Sequence, residues 1–124
     1  MSACTAIETS ALLTIVEQAG MAVATLIEGL ERGELLRSRL TRTEVLRQLQ
    51  ALAASAAAVA ADTRAAMPEI DWAGWEAMGR KLLLPPGDTL DEALWFAGES
   101  LVPATLLWLR VHRKDRAALF QMTF

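Results

Sequence analysis

Apolar residues recur at three- and four-residue steps along most of the chain, and sustained apolar/polar alternation is absent, so the pattern predicts helices and no strands. A first helix is expected from Thr9 to Leu30, carried by Leu12, Ile15, Val16, Ala19, Val23 and Leu26. Gly29 and Gly33 bracket a linker in which the GELLRSR stretch has room for a turn or two of helix. Thr41 or Thr43 then supplies an N-cap oxygen, and Glu44 lies in the first turn, where the helix dipole favours an acid. This second helix is expected to reach about Thr63. Beyond Leu52 its stripe is almost pure alanine, which lets a neighbouring helix approach closely but supplies little dispersion energy per residue.

Pro68 steers Met67 away from helical angles and ends that element. Asp71 is placed to cap a third helix, which presents Trp72, Trp75, Met78 and Leu82 and reaches Leu84 before Pro85-Pro86-Gly87 stops it. Asp88 or Thr89 caps a fourth, expected to run to about Arg110 with a kink at Pro103, where a backbone donor is missing. The remaining tail, 111–124, is basic and then apolar, and its final ALFQMTF reads as a short docked element or a loose end. The expected architecture is an all-α antiparallel bundle of four to five helices, one domain over 1–124.

Composition adds a second expectation. Apolar residues make up 53% of the chain against 22% charged, more than one core needs, so a subunit interface and a homodimer are expected. A formal charge of -3 gives no global positive field toward nucleic acid or anionic membrane. One cysteine, Cys4, and one histidine, His112, cannot build a thiolate–imidazole cage, and no metal or cofactor is expected. The N-terminus has no basic leader, and no apolar run of membrane-spanning length stands out, which points to a cytoplasmic protein without a membrane partner.

Several clusters invite a chemical reading. Asp88, Asp91 and Glu92 sit where a helix start takes acids as caps and dipole partners. His112, among Arg110, Arg113 and Lys114, reads as a solvated helix end or as a small phosphate patch. Arg80 either pairs with Glu76 four residues before it, laying its stem on Trp75, or is held for an anionic ligand. GWEAMGRK has two glycines near a basic pair but lacks the spacing of a phosphate loop.

Over 26–110 the order of LIEGLERGELLRSR, TRTEVLRQLQALAASA, MPEIDWAGWEAMGRKLLL and DTLDEALWFAGESLVPATLLWLR resembles the HepT-like branch of the HEPN superfamily, the toxin half of MNT–HepT toxin–antitoxin modules. A Pro-Glu-Ile-x-Trp lead-in is followed by Arg80 eight residues after Trp72, and by Asp91 eleven residues later. The resemblance implies a helical bundle that dimerises, with the third and fourth helices lining a shared cleft in which Trp72, Trp75, Glu76, Arg80 and Asp91 are the binding candidates. In active members a histidine follows the arginine, with a tyrosine shortly after, and paired motifs cut RNA without a metal. Their nucleotidyltransferase partner attaches AMP to that tyrosine.

Here the resemblance places Pro85 at the histidine position and Gly87 at the tyrosine position, while Leu90, Asp91 and Trp95 recover the register. Ala54 stands where members of the family carry a glutamate, and the chain has no tyrosine at all. Proline and glycine have no titratable atom to take or give a proton. The expectation is therefore a catalytically degenerate HepT-like protein, a dimeric interaction or regulatory component whose partner is a nucleotidyltransferase antitoxin or an active HepT. The alternative is an RNA- or nucleotide-binding protein with residual or relocated ribonuclease activity, drawing on Arg80 with Asp91, Glu76 or His112.

Overall fold

A computed structural model describes residues 3–115, with side chains from Ile7 onward, and every regular element among them is helical. The expectations for the Cys4 thiol and for the 118–124 segment lie outside the described residues. The elements are α1 (Ala3–Ile27), α2 (Arg32–Arg37), α3 (Arg39–Ala58), α4 (Ala61–Ala66), α5 (Trp72–Lys81), α6 (Asp88–Phe96), a π turn (Ala97–Leu101) and α7 (Val102–Asp115).

Four long arms make an antiparallel bundle. α1 packs on α3 and α7, α3 also packs on α5, and the α6–α7 arm returns beside α5 and α1. Leu13, Val16 and Val23 of α1, Val45, Leu49 and Leu52 of α3, Trp75 of α5 and Leu94 and Leu109 of the last arm are all buried in one core. α1 is long and apolar enough over Ile7–Ile27 to cross a membrane, with a mean hydropathy of 1.6, which the sequence reading above did not anticipate. A helix packed on two sides acquires the same character, because more of its circumference must be apolar.

The boundaries differ from expectation in instructive ways. α1 ends at Ile27 rather than Leu30, because Gly29 takes a left-handed φ of 76° and the chain turns there. The N-cap of α3 is Ser38, not Thr41 or Thr43, and its hydroxyl bonds to the Thr41 hydroxyl at 2.9 Å. The expected helix to Thr63 breaks at Val59 and Ala60, both extended, and resumes as the short α4. Val59 is buried by the break, and the freed α3 carbonyls are taken up by Arg64: Nε donates to Val59 O at 3.0 Å and Nη2 to Ala57 O at 2.7 Å.

Asp71 caps α5 as its position implies, accepting from the Gly74 N–H at 2.8 Å. α6 starts after Gly87 with no side-chain cap, and Asp88 and Asp91 lie in its first turn, at the positive end of the helix dipole. The distortion expected at Pro103 is a π turn just ahead of it. Proline cannot donate, and the wider turn runs where Gly98 lies against α1: a Cβ there would fall 2.8 Å from Ile27 Cδ1.

Candidate functional site

The alanine run of α3 packs closely on α5, where Ala53 is buried and a Cβ on Gly79 would lie 3.6 Å from the Ala53 Cβ. Ala53, Ala54 and Ala57 form one wall of an open groove of about 280 Å³, and Trp75, Glu76, Gly79, Arg80 and Leu83 form the other. Methyl side chains leave the rim of this seam open, and at its end the Gln50 amide donates to Leu82 O at 3.0 Å. Arg80 and Ala54, named separately in the sequence, thus line the same groove.

Arg80 is exposed, and its guanidinium makes no hydrogen bond or ion pair among the described residues. The expected Glu76–Arg80 pair does not form, because Arg64 takes Glu76 instead, Nη1 to Oε1 at 2.7 Å. Arg64 reaches it from α4 with a fork already fixed on the α3 carbonyls, so little further side-chain entropy is lost in making the pair. The same guanidinium lies 5.9 Å from the Trp72 ring centroid, so the arginine over an indole is Arg64 on Trp72. Sequence reading missed Arg64; its signal was a basic residue shortly after a helix C-terminus, which the assumption of one unbroken helix concealed.

The tryptophans serve the frame. Trp75 is 1% exposed and its Nε1–H donates to Thr105 Oγ1 at 2.9 Å, tying α5 to α7. Trp72 is buried and donates to Met67 O at 3.0 Å, closing the loop that follows α4. Asp91 is held by Arg42 of α3 in an ion pair and does not line the Arg80 groove. Pro85 and Gly87 line a separate shallow hollow with Leu84, Pro86, Asp88 and Thr89.

His112 corrects the sequence reading most sharply. It is not a solvated helix end: it is 6% exposed, its Nε2 lies 2.7 Å from Glu69 Oε1, and the Trp108 ring is 6.3 Å away. The bundle brings the loop before α5 onto the last turns of α7, which no local pattern announces. Arg113 pairs with Glu17 of α1 at 2.7 Å, and Arg110 and Lys114 are exposed on the same helix. Among the described residues no three His, Cys, Asp or Glu side chains gather as a metal site would require.

Among the described residues, the groove offers an unpaired cation, an apolar floor and a carboxylate already engaged by a second arginine. Such a surface can hold an anion or a flat apolar group. Neither the family models, nor the curated proteins, nor the solved structures compared with this chain give a match.

Proposed function

We propose that this chain is a catalytically degenerate HepT-like protein of the HEPN superfamily, acting as a dimeric interaction or regulatory component of a toxin–antitoxin-type module. One observation carries the reading: among the described residues, no other group lining the Arg80 groove is an unengaged acid or base. Its neighbours are alanine methyls, an indole, the Gln50 amide bound to Leu82 O, and Glu76 committed to Arg64. Cleavage at a ribose 2′-hydroxyl needs a base for that proton or an acid for the leaving oxygen. The chain's one imidazole, His112, is buried against Glu69. The partner is a nucleotidyltransferase antitoxin or an active HepT, in a cytoplasmic setting.

The purified protein is expected to leave a mixed RNA substrate intact over hours, by gel and by release of acid-soluble nucleotide. Turnover above background that Arg80→Ala abolishes would sink the inactivity claim.

The unpaired Arg80 favours a second reading, in which the groove still binds RNA or nucleotide without cutting it. Fluorescence anisotropy should then show binding that weakens steeply with salt, as phosphate contacts release counterions, and that Arg80→Ala reduces. Affinity unchanged by salt or by that substitution removes this reading.

A further inference from the structure

We infer that the groove between α3 and α5 is a docking seam for a helix of a partner protein, one that lays short apolar side chains over the alanines and brings a carboxylate to Arg80. This rests on the interaction role proposed above and names its surface and the chemistry of the partner; it makes no use of the dimer.

The seam is smooth because of what flanks it. α3 and α5 approach so closely that a Cβ on Gly79 would lie 3.6 Å from the Ala53 Cβ, and beside that contact Ala54 and Ala57 are exposed with nothing longer than a methyl. No charged residue stands anywhere from Gln48 to Ala61, so the α3 wall is neutral. The groove runs from Gln50 to Ala57 on α3, about two turns or about 10 Å of helix, and from Trp75 to Leu83 on the α5 side. That length matches the i, i+3 or i+4 and i+7 anchors with which a helix fills a groove. Leu83, 79% exposed, extends the apolar rim at one end.

Charge selects the occupant. Glu76 on the rim is already neutralised by Arg64, while Arg80 has no ion-pair partner among the described residues. A helix laid over the seam takes water away from the Arg80 guanidinium, and a cation desolvated without a partner is costly, so the covering face must carry an acid beside its apolar stripe. A carboxylate also suits the planar fork. Nucleic acid fits less well. Phosphate contacts call for a row of cations, and Lys81, next to Arg80, lines a different hollow with Glu92 of α6. Bases call for exposed rings to stack on, and Trp75, whose ring lines the groove, is 1% exposed.

Parallel selections from one displayed library test this, on the full-length wild type and on Arg80→Glu. The library holds helices of about 16 residues with Ala, Val or Leu along one stripe and Glu, Gln or Lys at a position beside it. The wild type is expected to enrich Glu, and Arg80→Glu to enrich Lys. A synthesised peptide from the wild-type selection should lose at least about tenfold in affinity on Arg80→Ala and on Ala54→Met, which fills the seam from an exposed position, and nothing on Leu107→Arg, which lies on α7. Circular dichroism of each variant establishes that the fold survives. The inference is overturned if no helix is enriched over bare support, if Glu, Gln and Lys are enriched alike on the wild type, or if the selected helix binds Ala54→Met unchanged. It is overturned as well if mixed-sequence RNA or a second copy of the chain occupies the groove instead, seen as RNA binding or self-association that Ala54→Met abolishes. RNA left intact with no helix enriched removes the docking seam alone, whereas cleavage abolished by Arg80→Ala removes the inactivity claim whatever the helices do.

Discussion

Arg64 shows how much one side chain can organise, and how little of that is visible locally. Its guanidinium donates to the Val59, Ala57 and Ala56 carbonyls, pairs with Glu76 and faces the Trp72 ring. Removing it strands helix-terminal carbonyls and frees Glu76, so Arg64→Ala is expected to cost about 2–3 kcal/mol in urea unfolding. Arg64→Lys should recover only part of this, because an ammonium cannot reproduce the fork. Equal stability of Arg64→Ala and wild type would show that water replaces every one of these bonds. Glu44 is a smaller case with a sharper signature: hydrogen bonds from Arg47 and then Gln48 hold its carboxyl down at about 2. Its folded pKa lies below the ordinary value of 4.5, so its contribution is present above about 4.5 and is lost as pH falls toward 2. The site is solvent-exposed and screened, so the test is spectroscopic rather than a stability measurement. The Glu44 carboxyl carbon should titrate below the other glutamates by NMR, and Arg47→Ala should return it toward them.

At the scale of elements, α5 is positioned by its ends and by one buried bond. Asp71 fixes its start, the Gln50 amide bonds to Leu82 O just past its last residue, and Trp75 reaches Thr105 on α7. The Thr105 hydroxyl also donates to Leu101 O at 2.7 Å, so one side chain serves both the indole and the last residue of the π turn. Thr105→Val leaves a buried indole N–H unpaired and should destabilise by about 1–3 kcal/mol. Thr105→Ser keeps the hydroxyl and should lose less. If the two variants unfold at the same denaturant concentration, the bond contributes nothing and methyl packing alone holds α5. The helical identity of every long arm was legible in the 3.6-residue periodicity and in the Asp71 and Gly29 signals. The break at Val59 was not, because alanine propensity favours continuing the helix, whereas burial of Val59 and the reach of Arg64 favour ending it.

For the whole molecule, one core joins elements that carry all four tryptophans: Trp72 and Trp75 on α5, Trp95 on α6 and Trp108 on α7. Unfolding followed by tryptophan fluorescence and by far-ultraviolet dichroism should therefore give coincident curves. Separate transitions would mean that α5 and the α6–α7 arm melt apart from the α1–α3 pair. The sequence by itself determined that the chain is helical, where its long helices lie, and that no imidazole or phenol stands at the two positions after Arg80 where the resemblance looks for them, since these follow from periodicity and residue identity. Tertiary structure alone decided the partners. Glu76 goes to Arg64, Asp91 to Arg42 and His112 to Glu69, from 12 to 49 residues apart. Pairing at such separations depends on which helix faces meet, and those faces are chosen by the burial of the whole core rather than by any neighbouring residue. Among the described residues Arg80 has no ion-pair partner for the same reason: its nearest carboxylate in sequence, Glu76, is taken by Arg64 of α4.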